Sequence, residues 1–402
     1  MFNHEFRQKN MKSLRHLHFL LSLSALMAFT SLSVDIYLPA VPAMSRALGG
    51  DAELTITGFL IGFALAQLLW GPISDRLGRK IPLFIGLGLF TVGSIGCALS
   101  DRLPSLIGWR VFQAFGACTG PLLARAMVRD LFGATRAARL LSTLMLFVAA
   151  APIVGPIVGG LLLKIADWHA HFWLLAGIGL IMLVAVLRLP ESLPPQRRRA
   201  ASLAAAFASY RALLTNRPFL RYSLCISSFY VAAYAFIIGS PRVYIDHFAI
   251  DPSHYGYWFG VNIFGVMALS VVNGRLVQRV PLDRLLRVAT RIAAGAALLT
   301  LLLAGTGWGG IWGLALPIFL VFAMNGIIAS CSNAAALARV PIPQAGAAAA
   351  LLGALQYGSG ILSSLLLTLL GGATPLTLTV LMALFVGLSA ALVWRKNPVI
   401  QP

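Results

Sequence analysis

Of twelve acidic residues in 402 positions, only one stands inside an apolar run. It is Asp35, in "SVDIYLPAVPAM" (33–44). Arg110, in "IGWRVFQAFG" (107–116), is the only basic residue expected at similar depth. A charge within a membrane span costs a few kcal/mol or more unless it is paired or used. Burial favours the neutral acid and a nearby guanidinium favours the carboxylate, so this pairing suits a group that gains and loses a proton. Asp35 is placed about five residues from the outer end of its run and Arg110 about six from its own. At roughly 1.5 Å per residue, both lie about 8–9 Å below the outer surface and can share a layer. The seven histidines fall in the N-terminal tail or near run ends and loops, which leaves no central imidazole.

A second concentration of charge is "GPISDRLGRK" (71–80), wedged between two apolar runs. Gly71 and Pro72 end one run, and Gly78 permits a tight turn that a side chain would oppose. Arg76, Arg79 and Lys80 suit an inner loop, where Asp130 is an available partner. Asp75 suits a helix N-terminus or an arginine. The equivalent junction of the second half, "NGRLVQRVPLDRLL" (273–286), repeats a glycine and two arginines (Gly274, Arg275, Arg279) without the acid. A third stretch, "APIVGPIVGG" (151–160), contains Gly155, Pro156, Gly159 and Gly160. The proline removes a backbone bond and bends a helix, while the glycines admit a close neighbour.

Positioning these groups requires helices in a membrane. The chain is 59% hydrophobic and 11% charged with mean hydropathy +0.85, too apolar for a soluble domain. Runs long enough to cross the hydrocarbon core are expected at about 17–40, 53–73, 82–100, 104–127, 138–163, 170–189, 219–243, 255–277, 285–304, 309–333, 346–371 and 375–395. Continuous rather than alternating apolarity excludes a barrel. With the N-terminus inside and the spans alternating, 26 of 31 Lys and Arg fall in inner segments and 4 in outer ones. That asymmetry places both termini in the cytoplasm, makes the +19 charge topogenic, and argues against nucleic acid. The expectation is an all-α integral membrane protein with twelve transmembrane helices in two six-helix bundles. A tail (1–16), an N-terminal bundle (17–189), a basic cytoplasmic linker (190–218), a C-terminal bundle (219–395) and a short tail (396–402) follow, in the parallel-repeat pattern of transporters. "ASLAAAFASYRALL" within the linker fits an amphipathic surface helix.

The four cysteines (Cys97, Cys118, Cys225, Cys331) have no paired spacing, which gives no support to a disulfide or a metal site. With no phosphate loop and no catalytic constellation, neither ATP drive nor an enzyme is expected; a non-transporting membrane receptor lacks any supporting feature.

The stretch G-x-x-x-D-R-x-G-R-K, carried by Gly71, Asp75, Arg76, Gly78, Arg79 and Lys80, resembles the signature loop of the major facilitator superfamily. The resemblance implies a conformational latch of Asp75, Arg79 and Asp130 that holds the two halves in the outward-facing state. Gly155, Pro156, Gly159 and Gly160 resemble the antiporter signature of drug:proton exporters. "SVDIYLPAVPAM", these two stretches and "AGAAAALLGALQYGSG" (345–360) resemble the Bcr/CflA branch of twelve-span multidrug exporters, although "LSALMAFTSL" (23–32) lacks the additional first-span acid of some exporters. In such a transporter Asp35 and Arg110 would serve proton coupling.

Aromatic and amide side chains of the cavity-lining spans are the substrate-binding candidates: Tyr37, Gln67, Gln113, Tyr230, Tyr234, Asn262, Asn325, Gln356 and Tyr357. The expected function is export of small amphiphiles in exchange for protons by alternating access. The resemblance adds chloramphenicol-, bicyclomycin- and sulfonamide-like compounds; the alternative is a purine, nucleoside or amino acid moved by the same mechanism. One deep acid and one deep arginine favour neutral, zwitterionic or weakly anionic substrates. The expected partners are substrate, protons and the bilayer, for a monomer in the bacterial inner membrane with no cofactor beyond the proton gradient.

Overall fold

A computed structural model describes residues 2–132, 134–198, 203–341 and 344–394. The expected C-terminal tail and residues 199–202 of the linker lie outside the described residues. Helices account for the regular structure, and no strand occurs among the described residues. The N-terminal half contains α1 (Phe2–Asp35), α2 (Val41–Leu48), α3 (Leu54–Leu77), α4 (Lys80–Ala98), α5 (Leu103–Ala117), α6 (Thr119–Leu131), α7 (Ala134–Leu162) and α8 (His169–Leu187). The linker forms α9 (Leu203–Thr215). The C-terminal half contains α10 (Arg217–Pro241), α11 (Pro252–Leu276), α12 (Leu282–Thr306), α13 (Gly310–Leu337), α14 (Ala345–Leu369) and α15 (Pro375–Trp394). Eleven helical segments are long and apolar enough to cross a membrane, and α7 contributes a shorter apolar stretch, Val148–Leu162.

Several apolar runs continue beyond their expected ends, and two of these extensions bear on the site. The first extends from Phe19 to Leu48, through α1, a 3-10 turn at Leu38–Ala40, and α2. Asp35 therefore lies thirteen residues before the end of that segment, not five. The fourth extends from an expected end at 127 to Leu131, which moves Arg125 from two to six residues before the end of its helix, α6. Such boundaries are the least certain part of any pattern reading, because flanking polar residues extend a helix without adding apolarity.

Prolines explain the interruptions. Pro39 and Pro42 cannot donate to the carbonyls four residues earlier, so the first segment breaks at Asp35 and restarts as the 3-10 turn. Pro121 likewise frees the carbonyl of Ala117, and the Thr30 hydroxyl donates to it at 3.3 Å. Pro72, inside α3, frees the carbonyl of Leu68. Here the replacement donor comes from the linker: the Tyr210 hydroxyl of α9 lies 2.9 Å from Leu68 O. Buried carbonyls that lose a helical donor normally find another.

α7 packs between α1 and α11, while α3 packs along α14, so both contacts join the two halves. Around the Pro72 gap, Tyr210→Phe is expected to lower stability by about 1 kcal/mol, the usual net worth of such a bond. In a Pro72→Ala background, where the backbone donor returns, the same change is expected to cost less than half of that. Thermal unfolding of the four proteins of this cycle in detergent checks the coupling.

Candidate functional site

The break in the first segment organises the site. Helix α1 ends at Asp35, and the carbonyl of Ser33 loses its usual donor there. Arg110 fills the vacancy: Nη1 donates to Ser33 O at 3.3 Å, Nη2 to the Tyr37 hydroxyl at 3.1 Å, and Nε to Thr55 O at 3.4 Å. Nη1 also donates to Gln113 Oε1, and Gln113 in turn donates to Ser94 at 2.7 Å. The guanidinium carbon stands 4.4 Å from the ring centres of both Tyr37 and Phe59. Arg110 is completely buried. Its charge is solvated by dipoles and aromatic faces, with no carboxylate involved.

This corrects the expected pairing with Asp35. Within α1, Arg110 reaches only the backbone carbonyl of Ser33, and the side chain of Asp35 lies against α7 instead. The Asp35 Cβ lies 3.3 Å from the point a side chain at Gly155 would occupy. Asp35 is 6% exposed, and its carboxyl makes no ion pair or hydrogen bond with any described residue. Tyr234, Tyr255 and Tyr357, all from the C-terminal half, lie within its electrostatic range.

The glycine stretch of α7 is what lets Asp35 sit there. A methyl at Gly159 would fall 1.7 Å from Ile36 O, so α1 and α7 touch backbone to backbone. Gly160 faces the other half: a methyl would stand 2.6 Å from Pro252 O of α11. Gly256 of α11 receives the backbone of Ile157 in the same way. Pro156 is buried in the same stripe.

The contact continues at the end expected to face out, where two ion pairs cross between the halves in reciprocal fashion. Arg46 meets Asp246 at 3.2 Å, and Arg242 meets Asp51 at 3.5 Å. On the other flank Thr57 of α3 donates to Ser364 of α14. Glu53 is buried beside these pairs. Its carboxyl is raised to about 7 by burial above all, with Arg242 pulling it down and Asp51 and Asp246 pushing it up. Sequence reading left Glu53 among the outer-loop acids. Its proximity to Asp51 in the chain was visible, but the cross-half cluster was not.

At the other end Arg79 gathers the charged loop. Its Nε donates to Asp130 at 2.9 Å, and Nη1 donates to Asp75 and to Ser74, each at 2.7 Å. Gly78 turns with φ of 91°, and a side chain there would meet Glu191 at 2.6 Å. Glu191, not singled out from the sequence, accepts from the backbone of Arg79 at 2.9 Å and of Lys80 at 3.1 Å, at the start of α4. Its partial burial pushes the carboxyl up, but those donors, the Leu193 N–H and Arg198 together hold it below the usual glutamate range. The Lys80 ammonium donates to Leu187 O at 2.8 Å. Gly71 is in the last turns of α3, with open space where a side chain would stand, and Arg76 is exposed.

The nine substrate candidates separate. Tyr37 and Gln113 are fully buried in the Arg110 network and do not reach the interface between the halves. Gln67 accepts from Cys118 at 3.2 Å and its amide abuts Gly353 of α14. Tyr357 packs on Phe63 with ring centres 4.2 Å apart, and Tyr234 lies between Tyr230 (6.0 Å) and Tyr357 (6.4 Å). Gln356 donates to Asn333 at 2.7 Å. The side-chain oxygens of Asn262 and Asn325 are buried without a hydrogen-bond partner among the described residues. Among the described residues no cluster suits a metal ion, and all four cysteines are free and buried.

Glu53 gives the outer contact a pH dependence. Its carboxyl holds a proton up to about pH 7 in this closed arrangement, whereas an exposed glutamate releases it near 4.3. Between those values the closed arrangement binds more protons, so closure strengthens as the outer pH falls through 7. Electron-spin distances between labels at the outer ends of α7 and α11 are expected to shorten on average from pH 8 to pH 5. In Glu53→Gln they are expected to stay constant.

The family comparison agrees with this architecture. A model of the Major Facilitator Superfamily matches residues 22–364. An uncharacterized MFS-type transporter, YdgK, of Bacillus subtilis is 35% identical over 87% of each chain. A bicyclomycin resistance protein homolog of Haemophilus influenzae is 29% identical over 90% of this chain and 92% of its own. A chloramphenicol resistance protein of Pseudomonas aeruginosa is 31% identical over 70% and 67%. The crystal structure of a D-xylose-proton symporter superposes with a TM-score of 0.75 at 16% identity, over 94% of this chain and 98% of that one. The chain belongs to the major facilitator superfamily of multi-pass membrane transporters, in its Bcr/CflA-type branch.

Proposed function

We propose that this transporter exports small amphiphilic compounds, of chloramphenicol-, bicyclomycin- or sulfonamide-like chemistry, from the cytoplasm across the bacterial inner membrane in exchange for protons. It works as twelve spans in two bundles (17–189 and 219–395), with both termini cytoplasmic and the proton gradient as its sole energy source. The relatives named for bicyclomycin, chloramphenicol and multidrug resistance support the substrate class. The observation that carries proton exchange is Asp35: a buried carboxylate without a partner among the described residues, near the interface between the halves.

In the proposed cycle Asp35 takes a proton from the periplasm while the outer end is open. Neutralising it removes the cost of enclosing a charge, so the halves close over it along α7–α11 and α3–α14. Protonation of Glu53 favours the same closure. Substrate then enters from the cytoplasmic side, displaces the proton, and drives the return; differential affinity for the two states is what couples the two flows. The cluster of Arg79, Asp75 and Asp130 lies wholly in the N-terminal half and is formed with the outer end closed, so any latching of the outward-facing state needs a further contact from the C-terminal half.

Inverted vesicles loaded through an imposed pH gradient test this with a panel of antibiotics. Wild-type protein is expected to accumulate chloramphenicol- or bicyclomycin-like compounds and dissipate the gradient, and Asp35→Asn to fall to the level of empty vesicles. Uptake confined to one purine, nucleoside or amino acid would replace the substrate class. Equal gradient-driven uptake by Asp35→Asn would remove Asp35 from proton exchange.

A further inference from the structure

Arg125 stands in the middle of α6, six residues before its end at Leu131, about 9 Å of helix rise inside the span. It is exposed, as are Arg129 and, in part, Leu122 on the same side, while most of the helix around them is buried. The spacing 118, 122, 125, 129 defines a single face. Cys118 fixes where that face points: its thiol donates to Gln67 of α3, whose amide rests against Gly353 of α14. The face therefore looks across the interface between the halves, and Tyr357 of α14 lies within electrostatic range of Arg125. Arg125 Nε donates to Pro121 O at 2.9 Å in its own helix. Its two Nη groups make no hydrogen bond or ion pair with a described residue.

We propose that Arg125 recognises the anionic or electron-rich group of the substrate, as a specificity-determining residue for weakly acidic amphiphiles such as sulfonamide anions and phenolates. The proposal rests on the transport reading above and deepens it. Arg110, the arginine that sequence reading singled out, is fully buried among carbonyls, hydroxyls and rings, and four of its five N–H donors are already used. Arg125 keeps a planar pair of Nη donors, the geometry that matches a two-oxygen anion. Tyr357 and Tyr234 beside it supply faces for an aromatic body, and Asp35 lies within range of the same tyrosines. With Asp35 ionised the pair is electrically balanced and suits a zwitterion; with Asp35 neutral the guanidinium prevails and an anion is preferred over a cation.

The test is binding to purified protein in detergent, with sulfathiazole as the weak acid, chloramphenicol as the neutral compound and tetraphenylphosphonium as the cation. In R125Q the affinity ratio of sulfathiazole to chloramphenicol is expected to fall about tenfold, the range for a lost charge-assisted hydrogen bond. The ratio of tetraphenylphosphonium to chloramphenicol is expected to rise. R125K, which keeps the charge but not the fork, is expected to lose a smaller part of the sulfathiazole preference, and it carries the test if R125Q does not purify as a folded protein. An unchanged ratio, an equal loss of all three compounds, or no sulfathiazole binding by the wild type would overturn the proposal. Detergent binding needs no gradient, so anion binding through Arg125 by a protein that moves no protons would sink the exchange reading alone.

Discussion

The interaction on which the rest depends is the capping of a broken helix by a buried arginine. Prolines at 39 and 42 prevent α1 from continuing, and the carbonyl it leaves at Ser33 is taken by Arg110. A helix end buried without a donor would be costly, and a buried guanidinium without acceptors more so. Each solves the problem of the other. Two residues on, Asp35 lies against α7 near the opposite half, where its carboxylate meets no partner among the described residues. A carboxylate left unpaired in this way is destabilising as a charge, and that instability is what a proton relieves.

Close approach is the second constraint. Helix α7 touches α1 through Gly159 and α11 through Gly160 with backbone atoms on both sides. Dense contacts of this kind suit two alternative packings more readily than a graded series, because a tightly packed interface does not deform continuously. In the proposed cycle the proton on Asp35 and the proton on Glu53 act on the same closure from two depths. The outer ion pairs Arg46–Asp246 and Arg242–Asp51 are exposed and individually weak, so they fix register more than strength. The buried carboxyl beside them carries the sensitivity.

Much of this was legible in the sequence, because charge and proline are rare in a membrane chain and each occurrence is informative. The helical class follows from the apolar runs. Asp35 was found by elimination, and Asp75, Arg79 and Asp130, the set that the resemblance implies, do meet. What the sequence could not show is which side of a helix each group takes once prolines break it. Depth alone put Asp35 and Arg110 in one layer; in the structure Arg110 meets the Ser33 carbonyl and Asp35 lies against α7. The same ambiguity made Tyr37 and Gln113 look like cavity residues, when they complete the Arg110 network. Arg125 was overlooked because it stands at the inner end of the expected run 104–127, where it counts among the inner-side charges until the helix is seen to continue to Leu131. Glu191 was hidden by distance, since its role at the start of α4 joins residues more than one hundred positions apart.

The central claim is that a single carboxylate exchanges a proton for substrate. Its most direct measurement is proton release from purified protein in weakly buffered detergent solution when a transported antibiotic is added. Wild-type protein is expected to release protons in a saturable manner that follows antibiotic binding, and Asp35→Asn to bind without releasing any. Equal release by both proteins, or saturable binding by the wild type with no release across the pH range where it transports, would contradict the account.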